Sequence, residues 1–171
     1  MNNKLLMTGM VAVALLFGFG FAGCDNGTTG NGADPALNGT WGASMEGSEV
    51  EYKLNNGLFE YSLDGSPASK GTYTTNGNNL ILTMTHIHGH LFQKIAEGSS
   101  TFEGMMESKW YTPDEFKASA YGTFLLENLG DNAIIDSMYT SQTASYSVSG
   151  NTLALTVSAA GDTGTITLTR K

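Results

Sequence analysis

All three histidines of the chain fall within five residues, His86-Ile87-His88-Gly89-His90. Side chains two apart on an extended strand point the same way. A strand through Leu80, Leu82 and Met84 therefore turns His86 and His88 toward the face of those apolar residues, into an interior. A His-x-His pair could supply two nitrogens to a Zn²⁺ or Cu²⁺ ion, with His90 or a carboxylate such as Glu107 as a third ligand. The competing reading is a set of polar histidines hydrogen-bonded at a barrel mouth or against the segment that follows. No thiolate accompanies them, and Gly89 could turn the chain before His90 converges. No cofactor is expected, with Zn²⁺ the candidate should the histidines bind a metal. Catalytic patterns are missing: there is no nucleophile elbow, phosphate-cradling glycine loop or His-Glu-x-x-His helix. Asp64-Gly65-Ser66 and Asn76-Gly77-Asn78 read as turns, and Asp114-Glu115 as a helix start, so a non-catalytic protein is expected.

The other reactive side chain is Cys24, the single cysteine in 171 residues. It follows Lys4, an apolar run from Leu5 to Phe21 and the small pair Ala22-Gly23, the layout of a secretory signal peptide. The alternative is a retained membrane helix. Gly9, Gly18, Gly20 and Gly23 are poor helix formers, however, and no stop-transfer charges flank the run. The segment resembles the bacterial lipobox, which implies a diacylglyceryl group on the Cys24 thiol, cleavage before it, and acylation of the new amine by a fatty acid such as palmitate. Three acyl chains would make attachment effectively permanent. The expected divisions are a signal peptide over 1–23, a lipidated cysteine with flexible tether over 24–36, and one domain over 37–171. Residues Asp25 to Pro35 lack hydrophobic periodicity and read as a leash of roughly 18 Å root-mean-square span.

The net charge is -8 with no basic run. That argues against nucleic acid and against direct docking on anionic headgroups. With one cysteine there is no internal disulfide, so the domain, expected to be monomeric, must hold by burial and hydrogen bonds. The expected location is the cell envelope, anchored to the inner or outer membrane and facing the periplasm or the surface.

The elements that must position these groups are strands. Apolar and polar residues alternate after Pro35, with Gly and Asn breaks every eight to twelve residues. Eight strands are predicted: Thr40 to Glu46, Val50 to Asn55, Leu58 to Leu63, Ser69 to Thr75, Asn79 to His88, Ala144 to Ser149, Thr152 to Ser158 and Thr163 to Arg170. Asn55-Asn56-Gly57 suits a tight hairpin. The stretch from Thr72 to Thr83 is echoed from Ser145 to Thr156, so one hairpin pattern is used twice. Eight strands with one apolar face each are best accommodated by an antiparallel up-and-down barrel, because closure removes both edges.

Gly39-Thr40-Trp41 at the start and Arg170 at the finish resemble the calycin arrangement of lipocalins and fatty-acid-binding proteins. That resemblance implies a tryptophan plugging one end of the barrel beneath a late arginine. Gly71 to His88, Glu107-Ser108-Lys109-Trp110-Tyr111 and the Tyr146 to Lys171 ending are similar to small lipocalin-like lipoproteins of spirochaetal type. The chain departs from a lipocalin in a stretch of about fifty residues, Gly89 to Thr143, where a short turn is usual. There, Thr112-Pro113-Asp114-Glu115 is a capping-box start. A helix from Pro113 to about Leu129 is predicted, with Tyr121 to Leu126 as a strand in the alternative. An insertion with Phe92, Ile95, Phe102, Met105, Met106 and Trp110 must pack on something, and a barrel mouth is the nearest apolar opening.

Tyr52, Phe59, Tyr61, Tyr73, Met84 and Tyr146 share the inner parity and are the candidate lumen residues. A filled core and a pocket explain them equally well. The leading expectation is non-catalytic binding of a small apolar or aromatic molecule in the lumen. The alternatives are a protein-interaction or inhibitor module acting through the insertion and loops, and a metal site at the histidines.

Overall fold

The computed structural model describes residues 32–45, 47–95, 106–129, 133–159 and 162–171. The signal segment and Cys24 lie outside them, as do Ile95's side chain, Phe102 and Met105. Among the described residues nine strands form: β1 (Gly39–Met45), β2 (Ser48–Asn55), β3 (Leu58–Leu63), β4 (Ser66–Asn76), β5 (Asn79–His88), β6 (Trp110–Tyr111), β7 (Ser141–Ser149), β8 (Thr152–Ala159) and β9 (Asp162–Arg170). All pairings are antiparallel, in the order β4-β3-β2-β1-β9-β8-β7-β5, and β5 pairs back onto β4 to close an eight-stranded barrel. The two-residue β6 lies on the end of β5, outside the circuit.

Hairpins with the expected chemistry join the strands. Asn56 and Gly57 take φ of 47° and 86°, the left-handed pair that a two-residue turn between twisted strands requires. The echoed hairpins become β4–β5 and β7–β8, each turning on a glycine of positive φ, Gly77 and Gly150. Outward positions carry threonine and serine, and some pair their hydroxyls across strands, as Thr156 and Thr165 do at 2.9 Å.

One end of the barrel is sealed. Asp34 caps a 3-10 turn, Pro35–Leu37, that drops Leu37 into the barrel beside Trp41; both are wholly buried. The Trp41 indole donates to Leu37 O at 2.7 Å. Arg170 lies over the indole, 4.2 Å from the ring centroid, and donates to the carbonyls of Asn38 (2.7 Å) and Ala36 (3.0 Å). The tail is fixed further out by Thr75, whose amide and hydroxyl both donate to Gly32 O at 2.8 Å. The flexible-leash expectation therefore fails for its last residues, because Gly32 to Pro35 are tied to the barrel.

The insertion occupies the opposite end. It contains α1 (Gly89–Ile95), α2 (Pro113–Lys117), α3 (Ala120–Leu129) and α4 (Ala133–Met138). The single helix predicted from Pro113 is two helices broken at Ala118-Ser119, where the Ser119 hydroxyl bonds Phe116 O at 2.7 Å and receives Gly122 N at 3.0 Å. Its start has the predicted capping box, Thr112 with Glu115. Phe116 is wholly buried and is ringed by Phe92, Tyr111, Tyr121 and Tyr139, with centroids 4.9 to 6.5 Å away. The insertion thus has its own aromatic core, and α1 packs it onto β4 and β5.

Candidate functional site

The inward side chains differ in exposure around the barrel. At the sealed end Trp41, Leu153 and Leu168 have no exposure, although Val148 beside Leu153 is partly exposed. Further up β1, β8 and β9, Ala43, Met45, Val157 and Gly164 are partly exposed on the inner face, as are Leu82 and Gln142 below Met84. On β2, β4 and β5, by contrast, Val50, Ser69 and Ile87 stay buried toward the open end. The upper inner wall is therefore reachable by solvent on the side of β1, β8 and β9.

The candidate lumen residues divide between the middle of the barrel and its sealed end. Tyr52, Phe59, Tyr61 and Met84 border a cavity of about 30 Å³ with Ser69, Leu82, Thr140 and Gln142. That is room for a water or two. The Tyr52 and Tyr61 rings lie 4.9 Å apart, and burial pushes both phenols well above their ordinary pKa, so they stay neutral donors. Tyr73 and Tyr146 belong to the sealed end, where their hydroxyls bond Asn38 Oδ1 at 3.1 Å and Asp34 Oδ2 at 2.8 Å. Those two rings hold the stopper and do not reach the open part of the lumen. Gln142 was missed because β7 starts at Ser141 rather than at Ala144. Its pairing with Leu82 puts it on the inner face, and continuing the alternation from Ala144 by one step would have found it.

The histidines do not face the interior. Gly71 pairs with Met84 and Lys70 with His86, so Thr85 is an extra residue, a β-bulge that reverses parity for the rest of β5. Ile87 takes the inner position, paired with buried Ser69 on one side and Tyr111 on the other, while His86 and His88 turn outward. The sequence does carry the signal, since the apolar run steps by three between Met84 and Ile87 instead of by two.

On the outside His88 is nevertheless buried, packed edge-on against Trp110 with ring centroids 4.9 Å apart. Its Nδ1 accepts from the His90 amide at 3.2 Å. Burial lowers its pKa, helped by His90 and Lys70, whose ammonium lies 4.5 Å from the Trp110 ring centroid. His86 Nδ1 meets the Thr85 hydroxyl at 3.0 Å, and His90 Nε2 meets the Ser108 hydroxyl at 3.1 Å. Glu107 instead pairs with Lys109 at 3.0 Å. Among the described residues no group of three or more metal-ligating side chains comes together. The arrangement orients Trp110 and clamps β6 to the barrel wall.

A second concavity, about 310 Å³, lies outside β2 and β3 between Trp110 and Lys171. Glu51 on its floor is bridged by both lysines that line it, Lys171 at 3.3 Å and Lys53 at 3.9 Å. Among the described residues, no helix is long and apolar enough to cross a membrane. No protein-family model, no curated protein and no solved structure matches the chain.

Proposed function

We propose that this chain is an exported, membrane-anchored lipoprotein whose barrel binds a small apolar or aromatic molecule, without catalysis, in the upper half of its lumen. The observation that carries the reading is the partly exposed inner wall of β1, β8 and β9, at Ala43, Met45, Val157 and Gly164. Inward apolar side chains that water can reach are costly to leave wet, at about 25 cal/mol per Å² of apolar surface. A ligand that covers them recovers that free energy. Ala43 and Gly164 are small where Trp41 and Leu168 below them are large, which widens the same stretch of the lumen. Tyr52, Tyr61, Ser69 and Gln142 provide hydroxyl and amide groups that could orient a polar substituent.

The tethered end supports the same picture. A lipidated Cys24 would stand eight residues before Gly32, which is bonded to the sealed end, so the anchor would be at most about 28 Å away. The membrane would then lie on the sealed side, and the open mouth would point away from it.

The test is titration of the purified full chain with N-phenyl-1-naphthylamine, followed by native mass spectrometry. Saturable, blue-shifted emission at one site per chain is expected, with Ala43→Trp weakening it at least tenfold. Emission that never saturates, or is indifferent to Ala43→Trp, removes lumen binding. Incorporation of labelled palmitate that disappears in Cys24→Ala tests the anchor separately.

A further inference from the structure

Given lumen binding, on which this rests, we infer that the ligand is uncharged, an alcohol, ester or amide carried on an apolar chain or ring, and that the carboxylate of the same skeleton is turned away. Above Trp41 and Arg170, the inward positions among the described side chains are aliphatic, aromatic, hydroxyl or amide, and none is charged. Strand parity sends Glu49, Glu51, Lys53, Glu60 and Lys70 to the outer face. An anion inside would need a cation, and each described one is engaged elsewhere. Lys53 and Lys171 bridge Glu51, Lys109 pairs with Glu107, and Lys117 pairs with Asp136. Lys70 lies over Trp110 outside the barrel, and Arg170 lies over Trp41 at the sealed end.

The polar groups that the lumen does offer are neutral. Tyr52, Tyr61, Ser69 and Gln142 border the cavity of about 30 Å³. Burial holds both phenols protonated well above their ordinary range, so they donate without adding charge. A hydroxyl, ester or amide can exchange hydrogen bonds with such groups. A carboxylate in the same place would lose its hydration and gain no countercharge. Leaving its head at the mouth brings no relief. Glu49 and Asp64 stand at the open rim, beside the turns from β1 to β2 and from β3 to β4, where Asp64 Oδ1 accepts from Glu49 N at 2.8 Å. On a chain of net charge -8, that rim repels an anion.

The experiment is displacement of N-phenyl-1-naphthylamine from the purified full chain by 1-decanol and by decanoate, at about pH 8, where the acid is ionised and the phenols are neutral. The alcohol should displace the dye, and decanoate should need at least about thirtyfold more. Gln142→Lys supplies a cation on a partly exposed part of the inner wall and should bring decanoate to within about threefold of the alcohol. Decanoate that matches 1-decanol on the parent chain overturns the inference and leaves lumen binding standing, since the dye is bound in either case. Loss of that displacement in Lys94→Ala would trace the anion to Lys94, whose side chain lies outside the described ones. Bound dye that neither compound displaces also overturns the inference, as does a folded Gln142→Lys chain that still rejects decanoate. Dye that never saturates, or that Ala43→Trp leaves bound, removes lumen binding itself and the ligand class with it. Should Gln142→Lys fail to fold, the comparison on the parent chain decides alone.

Discussion

Truncating Arg170 should cost the domain about 2–3 kcal/mol. The guanidinium makes two charged hydrogen bonds, to Asn38 O and Ala36 O, and one cation–π contact with Trp41. Such hydrogen bonds contribute about 1.5–3 kcal/mol each where desolvated, and the ring contact about 0.5–2. Arg170 is partly exposed, which brings each hydrogen bond down to about 0.75–1.25 kcal/mol, within the ordinary net range, and the ring contact to about 0.5. At about 2–4 °C per kcal/mol for a chain of this size, Arg170→Ala should melt about 5–10 °C lower. Arg170→Lys keeps the charge but lacks the fork that reaches two carbonyls, and should lose roughly half as much. Urea unfolding followed by far-ultraviolet circular dichroism gives the free energies. A double-mutant cycle with Trp41→Leu should return a coupling of about 0.5–2 kcal/mol. A loss below about 0.5 kcal/mol for Arg170→Ala, or Arg170→Lys matching the parent, would refute the view that this residue clasps the tail to the barrel.

Deleting Thr85 leaves a regular ladder in which Met84, His86 and Ile87 still pair with Gly71, Lys70 and Ser69, so Ile87 should stay inside and its burial, about 1.5–3 kcal/mol, should be retained in the same urea assay. The Gly89 amide, bonded to Lys109 O, should likewise stay protected from exchange, and fast exchange there would refute that register. Gly71→Ala places a methyl against Thr83 O and 2.8 Å from the Phe59 ring, and should cost about 1–3 kcal/mol in the same urea assay; a neutral result would mean that β4 and β5 approach less closely. His88 has a depressed pKa, so the unfolded chain binds its proton first. Its contribution is whole above the unfolded value of 6.5 and is lost as pH falls from there through the folded value. The slope of stability against pH in that window should flatten in His88→Phe, and an unchanged slope would assign the titration elsewhere.

Hairpins and closure were readable from local pattern. The period-two alternation in Val50, Tyr52, Leu54 and in Leu153, Leu155 names the buried face without any partner, because successive side chains of a strand diverge. Turn residues such as Asn56 and Gly57 announce themselves by the positive φ they accept. Trp41 and Arg170 were paired by resemblance, and their contact is present. The insertion was less legible, since Phe116, Tyr121 and Tyr139 converge from separate helices and no spacing links them.

By itself the sequence determined the eight barrel strands, the turns and the inner face of each regular strand, because those depend on backbone geometry that repeats every two residues. Tertiary structure decided how the repeat is interrupted where the apolar step lengthens to three between Met84 and Ile87. Thr85 is the residue left unpaired there because Ile87 meets Ser69 and Tyr111 inside while Lys70 and His86 pair outside, a requirement set by two neighbouring strands. Likewise the short register between β1 and β9, two residue pairs, belongs to the closure of a circuit with seven other strand pairings, and no residue of either strand encodes it alone.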